Sequence, residues 1–324
     1  MSRSTERREF LRCLAATSAT LSLPRIAIAQ EQSEIKTYTY KSTGGCDIKA
    51  DVVSHGPLEK RPVVVWIHGG ALIMGSRTGI PAFLRELARD PGYAVVSIDY
   101  RLAPETKLPA IIEDIQDAHR WVRTQGPALF GADPDRIAVV GGSAGGYLTL
   151  MSGFCFDPRP KALVSFYGYG DIAGAWYSRP DPFYSKQPAV PKEEAYAAVG
   201  TAPIATPPRG NTRGRFYLYC RQQGIWPKEV AGHDPDTEDK WFDGYCPIRN
   251  VSKRYPPTLL IHGTNDTDVP YDQSKIMAAK LAEAGVEHEL LTAPGAGHGL
   301  TGIDAAELKR INDRVAEFIK TRLG

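Results

Sequence analysis

The sequence predicts an α/β fold: an eight-stranded, mostly parallel sheet with helices on both faces and a cap-like insertion. Three observations lead there. Short continuous apolar runs recur along the chain, most of them ending in a glycine- or histidine-bearing loop. Segments of helical character alternate with these runs. One long stretch between two runs breaks the alternation.

The first two strands differ from the rest. Ile35–Tyr40 alternates polar and apolar residues, and Cys46–Ser54 does so more loosely. Both read as antiparallel strands with one wet face. From Val63 the runs are continuous: Val63–Ile67, Ala94–Ile98, Ile137–Val140, Ala162–Phe166, Thr258–Ile261 and Glu289–Leu291. Such runs fit parallel strands buried on both faces. Helices are expected over Pro81–Arg89, Ala110–Thr124, Gly145–Gly153, Tyr271–Ala284 and Ala305–Arg322. In the second of these, Asp114, Ala118, Trp121 and Val122 suggest one wet and one apolar face. Alternating strands and helices imply a doubly wound sheet, which places ligands at the C-terminal ends of its strands. From Asp171 to Pro257 no strand or long helix is evident, apart from a short helix over Glu193–Val199. This stretch holds Trp176, Trp226 and Trp241, three of the five tryptophans. Its length marks it as a cap over the site mouth, or alternatively a flanking insertion.

With 42% hydrophobic and 23% charged residues in 324, the chain can bury a large core. The net charge is only +2 and no Lys/Arg block interleaves with aromatics. Nucleic acid is therefore not an expected partner. The N-terminus pairs Arg7-Arg8 with Phe10-Leu11, then a mildly apolar run from Cys13 to Leu23, then Ala27-Ile28-Ala29. It resembles a bacterial twin-arginine export signal, with cleavage expected after Ala29 and a single domain over 30–324. The run is too short to span a bilayer, so no stable membrane insertion is expected after cleavage. The product is expected in the periplasm or medium. Cys46, Cys155, Cys220 and Cys246 would remain. An oxidising compartment permits a Cys220–Cys246 disulfide, against the alternative of four free buried thiols. No cysteine or histidine spacing suits a metal, so neither metal nor cofactor is expected.

The chemistry sits at the strand ends. Gly141-Gly142-Ser143-Ala144-Gly145-Gly146 follows an apolar strand and opens a helix. A G-x-S-x-G in that setting is a nucleophile elbow, where small neighbours allow a sharp, strained turn that exposes the serine. His68-Gly69-Gly70-Ala71 follows the third strand. Its glycines let backbone N–H groups approach a developing oxyanion. The expected donors lie in Gly69, Gly70 and Ala71, with Ala144 across the elbow. His68 reads as a residue that holds this loop rather than as a base. Two later loops supply the partners of Ser143. One carries Asp266 and Asp268, the other His298. His298 would accept the serine proton and a carboxylate would fix its tautomer. The residues alone leave Asp266 and Asp268 in competition, since either could be a turn or cap residue.

The order Ser, Asp, His together with these loops identifies a resemblance. The chain resembles the esterase/lipase family of α/β-hydrolases related to hormone-sensitive lipase. It looks most like the small bacterial acetyl-xylan, feruloyl and general carboxylesterases. The resemblance is carried by His68-Gly69-Gly70, Asp99-Tyr100-Arg101-Leu102-Ala103-Pro104-Glu105, Asp133-Pro134-Asp135-Arg136, Gly141–Gly146, His262-Gly263-Thr264-Asn265-Asp266 and Gly297-His298. It implies an α/β-hydrolase fold and a small-molecule ester substrate, and it favours Asp266 over Asp268. Two departures stand out. Ala71 replaces the third glycine of the lipase branch, and residues 171–257 match no familiar pattern. Two other functions fit parts of the pattern: a serine peptidase of the prolyl-oligopeptidase kind, and an inactive hydrolase fold used as a binding module.

Overall fold

The computed structural model describes residues 34–55, 60–89, 92–208, 210 and 212–324. The expected export signal lies outside these residues. Eight strands form one sheet: β1 (Glu34–Thr43), β2 (Cys46–Ser54), β3 (Arg61–Ile67), β4 (Ala94–Ile98), β5 (Ala132–Gly142), β6 (Ala162–Phe166), β7 (Thr258–Gly263) and β8 (His288–Ala293). Their order is β1-β2-β4-β3-β5-β6-β7-β8. β1 and β2 are antiparallel to their neighbours, and β4, β3, β5, β6, β7 and β8 run parallel.

The helices follow in chain order. α1 (Ala82–Arg89), α2 (Leu108–Thr124), α3 (Gly126–Phe130) and α4 (Ala144–Cys155) belong to the first half. The insertion after β6 holds α5 (Ala175–Ser178), α6 (Lys192–Ala197), α7 (Arg213–Gln223), α8 (Trp226–Ala231) and α9 (Pro235–Glu238). α10 (Asp272–Glu283) and α11 (Ala305–Leu323) close the chain.

The period-2 alternation of β3 separates the two core layers. Val64 and Trp66 pack with Leu84 and Leu87 of α1 and with Ile311, Val315 and Phe318 of α11. Val63, Val65 and Ile67 face the other way, toward Ile115 of α2, Leu148 of α4 and Met277 of α10. Both faces of the central strands are thereby buried, as continuous apolar runs require. β8 departs from the expectation. Leu290 and Leu291 are only partly buried because β8 is the sheet edge, with β7 as its one neighbour.

Asp114 is a second correction. It was expected on a wet face of α2, yet it is fully buried. Arg101 binds it through Nε (2.8 Å) and Nη2 (2.7 Å), and Lys41 Nζ lies 2.8 Å away. A buried carboxylate persists only with such partners.

The insertion is more ordered than its sequence suggests. Short helices fill it, α7 being the longest, and no strand occurs among its described residues. Phe216, Trp226 and Phe242 are fully buried and continue the larger core layer. Cys46, Cys155, Cys220 and Cys246 are all free, so Cys220 and Cys246 do not pair. Burial pushes the Cys246 thiol up to about 12, which keeps it protonated and unreactive. Among the described residues, no helix is long and apolar enough to cross a membrane.

Candidate active site

Ser143 joins β5 to α4 with φ 55° and ψ −122°. A non-glycine residue holds such a conformation only where its surroundings impose it. Here the Ser143 N–H donates to the Phe166 carbonyl at 2.9 Å. The turn also needs Gly145, since a Cβ there would stand 2.0 Å from the Ile67 carbonyl oxygen. The N-terminus of α4 lies directly behind the serine. Its first N–H groups, that of Ala144 included, have no partner within the helix and favour negative charge.

His298 reaches Ser143 from the loop after β8. Its Nε2 lies 3.0 Å from Ser143 Oγ. Its Nδ1 lies 2.7 Å from Asp266 Oδ2. An ionised carboxylate only accepts, so Nδ1 carries the proton and Nε2 turns its lone pair to the serine. The Asp266 side chain is fully buried and uses both oxygens. Oδ1 accepts from the Asp268 and Val269 N–H groups, each at 2.9 Å, closing the turn. Oδ2 takes His298 and also lies 3.3 Å from His262 Nε2. Burial alone would raise the Asp266 carboxyl. The His262 and His298 hydrogen bonds outweigh burial and hold it well below the usual carboxylate range. For His298, burial favours the neutral ring, but the Asp266 hydrogen bond and the Asp268 and Asp266 charges prevail. Its pKa lies above the ordinary imidazole value.

Asp268 does not share the place of Asp266. Its Oδ2 lies 3.4 Å from His298 Nε2, on the opposite side of the ring. Its Oδ1 accepts from Tyr184 Oη (2.9 Å), from Arg221 Nη1 (3.0 Å) and from Tyr217 Oη. The competition left open by the sequence thus ends with both carboxylates at one imidazole, one on each nitrogen.

The loop after β3 lies against the elbow. Gly70, Ala71 and Leu72 all have positive φ, at 110°, 55° and 60°. The Ile73 and Met74 N–H groups turn back to the Gly70 carbonyl, at 2.9 and 2.8 Å. Ala71 therefore adopts the left-handed conformation that a glycine takes freely, at a cost of about 1–2 kcal/mol. Two residues of the insertion hold this loop. Trp226 Nε1 donates to the Ala71 carbonyl at 3.0 Å, and Arg213 Nε donates to the Ile73 carbonyl at 2.5 Å. Sequence reasoning missed both, because their partners lie 155 and 140 positions away. His68 is buried and stacks on Tyr100 with ring centroids 4.3 Å apart. Its Nδ1 lies 2.7 Å from the Gly69 carbonyl, and burial lowers its pKa.

Ser143, His298, Gly69, Gly70 and Ala71 line a cavity of about 360 Å³, together with Trp66, Met74, Tyr167, Tyr217 and Asp268. Ala144 and Asp266 stand behind its wall, buried. Tyr167 meets His298 edge-on at 4.9 Å. The arrangement can deprotonate a serine hydroxyl in a cavity walled by the Gly69–Ala71 loop.

Comparison with known proteins gives the family. Residues 64–302 match the model of a family described as having the alpha/beta hydrolase fold. Esterase LipC of Mycobacterium tuberculosis is 29% identical over 279 residues, covering 81% of this chain and 59% of LipC. The non-reducing polyketide synthase Preu6 of Preussia isomera is 28% identical over 313 residues, covering 84% of this chain. The match takes in 14% of the synthase, so this chain spans about one seventh of its length. A solved Staphylococcus aureus protein of unknown function has a TM-score of 0.73 at 20% identity, covering 89% of this chain and all of its own. Esterase 2 of Thermogutta terrifontis has a TM-score of 0.57 at 22% identity, covering 90% of this chain and 92% of its own. At such identities the structural likeness speaks for the fold. With the family model matching well over half of its length, the chain belongs to the α/β-hydrolase-fold family.

Proposed function

We propose that the protein is a serine carboxylesterase that hydrolyses small or short-acyl esters through an acyl-enzyme. The observation that carries this reading is the 3.0 Å approach of His298 Nε2 to Ser143 Oγ, with Asp266 bound to the far nitrogen. In the acylation step His298 takes the serine proton while Ser143 Oγ bonds to the ester carbonyl carbon. The carbonyl oxygen becomes an oxyanion held by N–H groups of Gly70, Ala71 and Ala144, with Gly69 shaping the loop. His298 returns the proton to the departing alcohol as the carbon–oxygen bond breaks. Water, deprotonated by His298, then releases the acid and restores Ser143. Asp266 steadies the imidazolium in both steps. These steps need no metal or cofactor.

The name of LipC as an esterase supports the same reaction class. The Arg7-Arg8 signal supports export, and acetyl or feruloyl esters of polysaccharide fragments are then suitable substrates. The insertion over 171–257 acts as a cap in this reading, since its Tyr217 forms part of the cavity wall. The test is a series of p-nitrophenyl esters of rising acyl length, with Ser143→Ala as control. Wild type is expected to cleave the short esters, to label with a fluorophosphonate at Ser143, and to lose both properties in the variant. Ester cleavage undiminished in Ser143→Ala would overturn the mechanism. Amine release from aminoacyl amides without ester cleavage would point to a peptidase instead.

A further inference from the structure

We propose that Asp268 selects the alcohol side of the substrate, and that the preferred esters carry a free hydroxyl on the carbon next to the esterified oxygen. Such compounds are monoesters of vicinal diols, as in sugars and glycerol. The inference rests on the esterase reading above and names the substrate class for that site.

The position of the carboxylate carries the argument. In acylation the leaving oxygen must come within hydrogen-bond reach of His298 Nε2 to collect its proton. Ser143 Oγ approaches that nitrogen at 3.0 Å, and Asp268 Oδ2 approaches it at 3.4 Å. The leaving oxygen therefore arrives beside Oδ2. Oxygens on adjacent carbons lie about 3 Å apart, roughly one hydrogen-bond length. A hydroxyl next to the leaving oxygen thus falls where Oδ2 can accept its proton.

The two oxygens of Asp268 are not equivalent. Tyr184, Tyr217 and Arg221 all donate to Oδ1, which fixes the carboxylate. Among the described residues no hydrogen bond ends on Oδ2, and His298 Nε2 lies 3.4 Å from it. Apart from the catalytic pair and two tyrosine hydroxyls, the side chains lining the cavity are apolar, and Asp268 is its one carboxylate. A cationic alcohol fits less well. The buried Arg221 guanidinium already faces this carboxylate and stacks on Tyr177 and Tyr184 at 4.8 and 4.9 Å from the ring centroids. That fixed cation offsets the carboxylate charge and fills the nearest aromatic surface.

Three acetates that form the same acyl-enzyme provide the test: propyl, 2-hydroxyethyl and 2-methoxyethyl acetate. Deacylation is common to them, so kcat/KM ratios report the alcohol side alone. Wild type is expected to favour 2-hydroxyethyl over propyl acetate by about tenfold to a hundredfold, the range for a hydrogen bond to a charged group. It should discriminate against the methoxy ester, which cannot donate. Asp268→Asn keeps an oxygen for Tyr184, Tyr217 and Arg221 and can turn its amide N–H to the substrate. Its hydroxyethyl preference should shrink and its relative rate on the methoxy ester should rise. A merely structural role for Asp268 would lower all three rates together. A wild-type ratio near one, with propyl acetate cleaved in a Ser143-dependent manner, overturns the inference and leaves the esterase reading intact. So does a preference for acetylcholine over 2-hydroxyethyl acetate, which would assign a cation instead. No cleavage of these esters or of p-nitrophenyl acetate overturns the esterase reading, and this inference with it.

Discussion

Arg213 of the insertion and Glu105 of the core form a doubly hydrogen-bonded ion pair, each N–O distance 2.7 Å, with both side chains 1% exposed. The same guanidinium also donates to the carbonyls of Ala103 and Ile73. One residue thus ties the insertion to the loop expected to hold the oxyanion. Removing one member of a buried pair strands the other charge, at a typical cost of about 3–5 kcal/mol. Arg213→Met and Glu105→Gln are each expected to lower the urea midpoint sharply. The double variant should recover part of the loss. Single-variant changes below about 1 kcal/mol would mean that the pair is not a clamp.

Neutralising the two carboxylates at His298 should have unlike consequences. Asp266→Asn removes the acceptor that sets the tautomer, so kcat should fall by roughly 10⁴-fold, the scale known for a neutralised triad carboxylate. Asp268→Asn leaves the tautomer in place but removes a negative charge 3.4 Å from Nε2. His298 must be neutral to act as base, and its pKa is raised. Activity should therefore fall, as pH drops, at a point above the ordinary imidazole pKa. In Asp268→Asn that acid limb should move to lower pH. A pH profile of kcat/KM checks this, and an unmoved limb would exclude Asp268 from control of His298.

Stability should follow pH in two directions. The raised pKa of His298 means that its contribution is full below the unfolded imidazole pKa and is lost as pH rises through the folded value. Asp266 has the opposite sign. Its depressed pKa makes its contribution full above the unfolded carboxyl value, and that contribution is lost as pH falls toward the folded one. Asp266→Asn should therefore flatten the acid side of the stability curve measured by urea unfolding from about pH 5 downward, where the unfolded carboxyl takes up its proton and the folded one does not. An unchanged acid slope would show that other carboxylates govern it.

The legible part of the molecule is the part governed by local pattern. The central strands follow from apolar runs, and Ser143, His298 and the Gly69–Ala71 loop sit where those runs end. α7 escaped detection because its buried face is largely polar: Arg213, Arg221 and Gln222 are inside with Phe216 and Cys220. No apolar stripe marks such a helix. The burial of Asp114 is not legible locally, since Lys41 and Arg101, which neutralise it, come from other parts of the chain. The roles of Trp226 and Arg213 are set by contacts far apart in sequence. Asp268 was legible as a candidate but not as to its side of His298, because two positions of one turn, with Thr267 between them, differ only in where the turn points them.

The Trp226 indole offers a narrower test of the insertion. Trp226→Phe keeps an aromatic ring in the buried stack with Tyr177, whose centroid is 3.9 Å away, but removes the donor to the Ala71 carbonyl. A buried carbonyl left unsatisfied costs about 1–3 kcal/mol. The oxyanion loop should loosen, so kcat should fall more than KM rises. Equal kcat in wild type and variant would mean that the loop is held without the indole.

Opposite substitutions on the two turns around Ser143 should have opposite outcomes. Gly145→Ala puts a methyl against the Ile67 carbonyl at 2.0 Å, and a backbone atom cannot rotate aside. The strand-to-helix turn must then shift, which moves Ser143 Oγ off His298, and a displacement of about 1 Å can cost a hundredfold in rate. Ala71→Gly acts the other way. Ala71 already holds φ 55°. A glycine relieves about 1–2 kcal/mol of left-handed strain. It also makes the unfolded chain more flexible, which offsets about 0.4–1 kcal/mol of that gain. The net effect should be a slightly higher melting temperature with activity kept within a few-fold. Ala71→Gly also restores the glycine of the lipase branch, so a large loss of kcat there would show that the Ala71 methyl, rather than the backbone around it, shapes the oxyanion site. Melting curves and kcat for the two variants, measured side by side, separate backbone strain from side-chain contact at this site.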